Sequence, residues 1–297
     1  MIVGVVDIGT NSMRLLIASE QGDIGRWVEV TGLGKGVDAT GELSAQGIQR
    51  SIEAFERFAT LMAQHDVVRR DAIATSASRD ARNREEFFDE AERALGVRPR
   101  VISGDAEAAY AYAGAVADPD DDSVVSDIGG GSTEFVSSNG SISVDIGSVR
   151  LSDRHLGRLP PGDSQVRSAV ELIRELFEPV TVRTADRLIG VGDQRRNDVD
   201  DLGDRLIGVA GTWTSLSAIS QDLAEYDREA VHRHVLGLGQ LHSVVSELST
   251  LSMEETAAIP SLDPARAPVI LAGGLIALEV MELLEVEEAH VSEKDTL

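Results

Sequence analysis

Apolar and polar positions in the first part of the chain alternate in patterns typical of strands and of an amphipathic helix. Short apolar runs at Ile2–Ile8, Arg14–Ala18 and Arg26–Thr31 predict three consecutive strands. After Ser44, which can serve as an N-cap, apolar residues recur at steps of four and three, which predicts a helix with one buried face. The apolar positions of that face are Ile48, Ile52, Phe55, Ala59 and Met62.

Strands and helices then alternate up to the middle of the chain. The pattern predicts a strand at Ala72–Thr75, a helix at Arg84–Leu95, a strand at Arg100–Ser103 and an alanine-rich helix from Asp105. The predicted element order of the first half is therefore βββαβαβα, which is an α/β arrangement.

The second half begins with a repeat of the same pattern. An acidic, turn-rich stretch at Asp118–Asp122 indicates a boundary, and a new apolar run starts at Ser123. We expect domains at 1–118 and 119–297, with the last residues as candidates to pack back on the first domain. The elements predicted in the second half are strands at Ser123–Ile128, Thr133–Ser137 and from Ser141, and helices at Gln165–Phe177, Thr214–Tyr226, Gln240–Leu251 and Ala265–Leu284.

A second, local repeat lies between these helices. Asp186–Gly192 and Asp204–Ala210 are nearly identical, and a polar linker at 193–203 separates them. Only the second copy leads into a helix, so we interpret it as the copy that forms a strand of the fold. We interpret the linker as an exposed, inserted loop.

Composition supports two domains and excludes several kinds of chemistry. The chain has 297 residues with 42% hydrophobic content, which is enough for about two cores by the ~150-residue prior. No run of 18 apolar residues occurs, and Met1 leads directly into the first strand, so we expect a soluble, cytoplasmic protein with no membrane partner. The absence of cysteine excludes disulfides, iron–sulfur clusters, thiolate zinc sites and a cysteine nucleophile.

The charge balance is strongly acidic. The net charge is −24, from 51 acidic and 27 basic residues, and Lys35 and Lys294 are the two lysines. Such self-repulsion is tolerated best where salt screens it, which favours a halophilic, high-salt cytoplasm over an ordinary acidic enzyme. It disfavours nucleic-acid binding, which requires a basic face. An anionic substrate would need local arginines, backbone amides and a divalent cation.

One polar phrase follows an apolar strand twice, 120 positions apart. Asp7–Ser12 reads DIGTNS and Asp127–Ser132 reads DIGGGS. Glycines let backbone N–H groups approach an anion, hydroxyl groups add donors, and a carboxylate can hold a cation. Two such turns facing one cleft would clamp a phosphate. A third phrase, Asp145–Gly147, is not followed by a second polar turn residue in register and is interpreted as structural.

Three further stretches follow strands and are candidates for the same cleft. Glu107 opens a helix, as a general base or as a first-turn carboxylate that the helix dipole favours. Arg79 and Asn83 either reach an anion or lie in a solvated loop. Gly211 and Thr212 begin a helix, where unpaired N–H groups attract phosphate.

Two other features of the sequence, a pair of histidines and a pair of glycines, are interpreted as structural and not as binding sites. His232 and His234 resemble metal ligands but lack companions at helical spacing, so we interpret them as surface histidines. Gly273 and Gly274 lie within the last predicted helix and indicate close helix packing rather than ligand contact.

Together these motifs carry a family resemblance that covers nearly the full length. They are Asp7–Ser12 with Arg14–Ile17, Ala74–Asn83, Val101–Gly104 with Glu107, Asp127–Glu134, Gly147–Leu151, Gly211 with Thr212, and Val291 with Ser292. On these residues the chain resembles the exopolyphosphatase and guanosine pentaphosphate phosphohydrolase family (Ppx/GppA), within the superfamily of actin, sugar kinases and heat-shock chaperone ATPases. It resembles a short form without the helical C-terminal domain of longer members.

The resemblance implies two ribonuclease-H-like (actin-like ATPase) domains with an interdomain cleft, Mg²⁺ dependence with Mn²⁺ as an alternative, and stepwise release of terminal phosphate. The implied catalytic residues are Glu107, which would activate water, Asp127 and Glu134, and the implied metal ligands are Asp127, Asp7 and Glu134. The implied phosphate-binding residues are Gly9, Thr10, Asn11, Ser12, Arg79, Asn83, Gly129, Gly130, Gly131, Ser132, Thr133, Gly211 and Thr212.

The expected activity is that of an exopolyphosphatase acting on inorganic polyphosphate, with no nucleic-acid partner and with a homodimer as the assembly. The alternatives are a guanosine pentaphosphate phosphohydrolase, an ATP-dependent kinase-like protein, and a phosphate or nucleotide sensor. Aromatic residues make up 4% of the chain, which leaves few candidates to stack on a guanine base.

Overall fold

A computed structural model describes residues 1–116, 123–138, 140–187, 206–294 and 297. The chain forms two compact units, Met1–Gly104 with Leu297, and Asp105–Thr296. The domain boundary expected between 118 and 119 lies outside the described residues.

Unit 1 is a five-stranded mixed sheet with helices. Its sheet has the order β3-β2-β1-β4-β5, in which β1, β2 and β3 pair antiparallel and β4 and β5 continue parallel to β1. The elements are β1 Val3–Ile8, β2 Ser12–Ser19, β3 Gly22–Val30, α1 Val37–Thr40, α2 Ala45–Gln64, β4 Arg69–Ala74, α3 Ser76–Asp80, α4 Arg84–Leu95 and β5 Arg100–Val101.

The longest helix of unit 1 forms as the sequence predicts. The Ser44 hydroxyl accepts a hydrogen bond from Gly47 N at 3.1 Å, which caps α2. The apolar face of α2 buries Phe55 and Met62, and the Phe55 ring lies 5.9 Å from the Phe87 ring of α4. The three first strands and α4 are confirmed, whereas β4 starts three residues earlier than predicted and the short helices α1 and α3 were not predicted.

Unit 2 contains a six-stranded mixed sheet with the order β10-β11-β9-β6-β7-β8. Strands β6, β7 and β8 pair antiparallel, and β9 lies parallel to both β6 and β11. The elements are α5 Gly104–Ala115, β6 Val124–Ile128, β7 Thr133–Ser137, β8 Gly140–Val144, α6 Ser148–Leu151, a π-helical turn Ser152–Leu156, α7 Asp163–Arg187, β9 Leu206–Val209, α8 Ala210–Ser220, α9 Arg228–Val231, β10 Val235–Gly237, α10 Leu238–Leu248, α11 Met253–Ala257, a 3₁₀ turn Pro264–Arg266, α12 Ile270–Leu283 and β11 Glu288–Val291.

The predicted helices of unit 2 exist, but their ends differ. α8 starts earlier than predicted and stops at Ser220, because Asp222 adopts a left-handed backbone with φ of 52°. α12 begins at Ile270 instead of Ala265, because Pro264–Arg266 form a separate 3₁₀ turn and Val269, with φ of −125°, lies outside helical geometry. α7 extends past the predicted end at Phe177. The strands β10 and β11 were not predicted.

Two interpretations from the sequence are resolved in part. The second copy of the local repeat forms β9, whereas its first copy lies largely, and the linker at 193–203 entirely, outside the described residues. Gly273 and Gly274 do mark close packing, because a Cβ on Gly273 would lie 2.6 Å from Thr212 and one on Gly274 would lie 2.8 Å from Val245. Among the helices that the structure describes, none has the length and apolar character needed to cross a membrane.

Candidate active site

The two copies of the polar phrase fold into the same strand, turn and strand. In unit 1, Gly9 N donates to Ser12 O at 3.1 Å, between β1 and β2. In unit 2, Gly129 N donates to Ser132 O at 3.0 Å, between β6 and β7. A Cβ on Gly9 would lie 2.6 Å from Ser12 O, so the first turn requires glycine at that position. The sequence repeat is thus a repeat of backbone structure.

Both turns leave backbone donors without an acceptor. Within the described part of the chain, no acceptor meets the N–H groups of Gly130 and Gly131, although both residues are buried. In the first turn the N–H groups of Thr10 and Asn11 likewise donate no hydrogen bond to any described residue. Buried N–H groups are nearly always paired in folded proteins, so successive unpaired ones indicate a site for an anion.

The two copies differ in charge at one equivalent position. Asp7 of β1 lies opposite Arg14 of β2, and Asp7 Oδ2 accepts from Arg14 Nη1 at 3.2 Å. Asp127 of β6 lies opposite Glu134 of β7 in the same register. The first carboxylate therefore has a cationic neighbour, whereas the second has another carboxylate beside it.

Glu134 is held in an unusual state for a carboxylate. Its side chain is only 1% exposed, its Oε1 accepts from Ser143 Oγ at 2.7 Å, and no described residue donates to its Oε2. Burial, reinforced by the charges of Glu107 and Asp127, raises the pKa of Glu134 well above its usual range, although the Ser143 and Ser132 hydroxyls oppose the shift.

The three residues expected to be catalytic thus come together in unit 2. Glu107 lies half-buried in the first turn of α5, and its charge acts on Glu134 together with that of Asp127. Neighbouring carboxylates with perturbed pKa values mark a candidate functional site.

A divalent cation fits this cluster as an open site. Hard cations bind carboxylate oxygens, and Glu134 Oε2 is a buried acceptor that no donor in the described residues satisfies. No group of three or more His, Asp or Glu side chains among those residues is arranged as a complete metal site. The donor set suits a cation such as Mg²⁺, which usually takes one or two carboxylates and completes its shell with water and substrate phosphate.

Two hydroxyl groups expected to bind phosphate are used inside the protein. Thr133 Oγ1 donates to Ile146 O at 2.6 Å, and Thr212 Oγ1 donates to Ile128 O at 2.9 Å. Both threonines are buried. Their hydroxyl groups position the strands around the turn, and each uses its single hydrogen-bond donor on a main-chain carbonyl group.

The predicted residues after β4 hold parts of unit 1 together. Arg79 Nη1 donates to Ile102 O at 3.0 Å. Asn83 uses both ends of its amide on Leu43, accepting from Leu43 N at 2.9 Å and donating to Leu43 O at 3.0 Å. Thr10 Oγ1 accepts from Ala77 N at 3.2 Å, which links the first turn to α3.

Comparison with known proteins assigns the chain to a family. Residues 18–295 match the Ppx/GppA phosphatase family. The chain belongs to this family. Exopolyphosphatase 2 of Mycobacterium tuberculosis is 35% identical over 319 residues, covering 99% of this chain and 96% of that protein. The Ppx/GppA chain is therefore a phosphatase, and the expected hydrolase class is confirmed.

Solved structures of the Ppx/GppA family confirm the fold class. The Aquifex aeolicus PPX-GPPA enzyme superposes with a TM-score of 0.75 at 30% identity, covering 100% of this chain and 97% of that one. An exopolyphosphatase from Cytophaga hutchinsonii superposes with a TM-score of 0.85 at 25% identity, covering 100% and 95%. The expected α/β fold with two ribonuclease-H-like, actin-like domains is confirmed.

The two histidines and Gly211, which the sequence analysis singled out, contact other parts of unit 2. The histidines belong to the fold, since His234 Nδ1 lies 3.0 Å from Ser217 Oγ and His232 Nδ1 accepts from Glu293 N at 3.3 Å. Burial lowers the pKa of both histidines. Gly211 lies at the start of α8 with the Arg266 guanidinium packed directly against it.

Sequence reasoning missed three contributors to the site of this Ppx/GppA phosphatase. Arg14 and Ser143 were not assigned roles, although the alternation of their strands could have placed each beside a carboxylate. The third phrase, Asp145–Gly147, was interpreted as structural, and the segment that begins at its Gly147 was assigned no role, yet Ser148, Val149 and Arg150 bind the second turn directly. Its pairing joins residues from different elements, which local sequence does not reveal.

Proposed function

We propose that this protein is an exopolyphosphatase that hydrolyses the terminal phosphate from inorganic polyphosphate with the help of a divalent cation. The observation that carries the proposal is that two features occur together in unit 2. These are the N–H groups of Gly130 and Gly131, which meet no acceptor in the described residues, and the carboxylates of Glu107, Asp127 and Glu134. Relatives named exopolyphosphatase support polyphosphate as the substrate.

In the proposed reaction, the turn Gly129–Ser132 binds oxygens of the terminal phosphate through its N–H groups. Asp127 and Glu134 would hold Mg²⁺, or Mn²⁺ in its place, which when bound would supply positive charge to offset that of the phosphate. Glu107 accepts a proton from the attacking water. Phosphoryl transfer depends mainly on positioning and charge stabilisation, so no covalent nucleophile is needed.

Unit 1 contributes a second phosphate-binding set in this proposal. Within unit 1, Gly9, Thr10, Asn11 and Ser12 would bind phosphate, and Arg79 would offset its charge. The resemblance also implied four residues that we leave out of direct binding. Asp7 already faces Arg14, and the side chains of Asn83, Thr133 and Thr212 are committed to main-chain atoms.

The proposal is tested by measuring phosphate release from long-chain polyphosphate, tripolyphosphate, guanosine pentaphosphate and ATP, each with Mg²⁺ and with a chelator. We expect release from polyphosphate with Mg²⁺ and none with the chelator. Faster release from guanosine pentaphosphate would replace the substrate assignment, and unchanged release with the chelator would refute the cation. Light scattering on the same preparation tests the expected homodimer.

A further inference from the structure

One short segment, Gly147–Arg150, donates hydrogen bonds to the carbonyl groups of the second turn. We call this segment the clasp. Ser148 N donates to Gly129 O at 2.9 Å, and Val149 N and Arg150 N donate to Gly130 O at 2.8 and 3.1 Å. The Ser148 hydroxyl adds a bond to Gly129 O at 3.2 Å. Four donors of the clasp therefore hold two successive carbonyl groups of the turn.

Peptide geometry connects these carbonyl groups to the anion site. In a trans peptide the C=O of one residue and the N–H of the next share a plane and point in opposite directions. Holding the carbonyl groups of Gly129 and Gly130 therefore fixes the directions of the N–H groups of Gly130 and Gly131. These are the two N–H groups that meet no acceptor in the described residues.

The clasp approaches the turn at backbone distance. A Cβ on Gly147 would lie 2.5 Å from Gly130 C and 2.6 Å from both Gly130 O and Gly131 N. The obstructing atoms are backbone atoms of the turn, which no side-chain rotation can move away. Val149 and the following Leu151 are buried in the core of unit 2, so close packing resists a shift of the clasp away from the turn.

A related arrangement recurs in unit 1. After β3, Gly34 N donates to Thr10 O at 2.8 Å, and Thr31 N and Gly32 N donate to Asn11 O at 3.0 and 2.9 Å. In both units the segment after the third strand of the repeat binds carbonyl groups of the turn. Because different residues make these hydrogen bonds in the two units, we infer that hydrogen bonding to the carbonyl groups is a feature of this type of turn.

We infer that Gly147 is a positioning residue of the phosphatase: its missing side chain lets the clasp aim the N–H groups of Gly130 and Gly131 at the substrate phosphate. The inference rests on the proposed phosphate site. Gly147 contacts no reacting atom in this scheme and acts through the turn.

The kinetic test compares Gly147→Ala with a matched variant, Gly274→Ala. A Cβ at Gly274 would lie 2.8 Å from Val245 and 3.4 Å from Leu216, which crowds the core of the same unit without touching the turn. We expect Gly147→Ala to lower kcat by about 10- to 100-fold with a much smaller change in KM, since displaced donors lose transition-state contacts. Gly274→Ala should lower thermal stability and keep kcat. Equal kcat values for the two variants would overturn the inference.

A second test does not depend on turnover. In protein labelled with ¹⁵N-glycine, tripolyphosphate is added in the presence of a chelator and the amide signals of Gly130 and Gly131 are followed. We expect both signals to shift in the wild type and to respond much less in Gly147→Ala. Shifts in a wild type that releases no phosphate would refute the proposed function and support the inference. Phosphate release without shifts at these two amides would overturn the inference and leave the function standing.

Discussion

The residue opposite the aspartate differs in charge between the two copies of the repeated turn. Arg14 and Glu134 occupy equivalent register positions, each opposite the aspartate next to the last residue of the preceding strand. The arginine offsets Asp7 in unit 1, whereas Glu134 adds a second buried carboxylate in unit 2. A buried carboxylate without a cation is costly, so the second copy, with two carboxylates side by side, gains more by binding a cation.

Replacing Glu107 by glutamine should stop turnover and preserve binding. The amide cannot accept the proton of the attacking water, so we expect kcat to fall by about 10²- to 10⁴-fold. Calorimetry with polyphosphate should show that the variant still binds it. Asp105→Asn is the matched control, because Asp105 is an exposed acidic residue in the same helical turn. Turnover of Glu107→Gln equal to that control would contradict the role of Glu107.

Replacing Glu134 by glutamine should uncouple folding stability from the cation. The substitution removes a buried charge, so in chelator the variant should melt at the same temperature as the wild type or above it. Mg²⁺ should raise the melting temperature of the wild type and not that of the variant. Scanning calorimetry measures both effects, with the exposed Glu53 changed to glutamine as the control. An equal response to Mg²⁺ in all three proteins would contradict a cation at Glu134.

At the scale of elements, the sequence predicts those that local signals define. α2 has an N-cap and a clear apolar face, α4 was predicted with its observed ends, and the turn between β6 and β7 follows from the repeated phrase. Short elements such as β10 and α3 depend on pairing and packing with distant residues, so no local pattern marks them. The clasp was missed for the same physical reason.

The cap of α2 can be tested on its own. Ser44→Ala removes the acceptor for Gly47 N and should lower the free energy of unfolding by about 1 kcal/mol. Thr60→Ala, in the exposed part of the same helix, should be neutral or slightly stabilising, since alanine has the higher helix propensity. Urea denaturation followed by circular dichroism measures both. Equal losses would show that the Ser44 cap contributes nothing specific.

At the scale of the whole molecule, the arginines already have acidic neighbours. Arg98 contacts Glu85, Asp89 and Glu92 at 2.9, 2.6 and 3.1 Å, and Arg57 contacts Glu29 at 2.8 Å. With a net charge of −24, a large acidic excess remains after such pairing. The folded chain therefore repels itself at low ionic strength.

Salt should stabilise this protein by screening that repulsion. The Debye length falls from about 10 Å at ~0.1 M to about 3 Å at ~1 M, so the melting temperature should rise steeply over this range and then level off. Melting in KCl and in NaCl should agree, because screening depends on ionic strength. A melting temperature that falls steadily with added salt would contradict stabilisation by charge screening.

The strand β8 ends its sheet and pairs with β7 alone among the described strands. Outermost strands fray at lower free energy than the strands between them. β8 carries Ser143, which orients Glu134, and its end leads directly into Gly147. Fraying of this one strand would therefore release the glutamate and loosen the turn Gly129–Ser132 in the same event. We expect the proposed activity to be lost on warming before the protein as a whole unfolds.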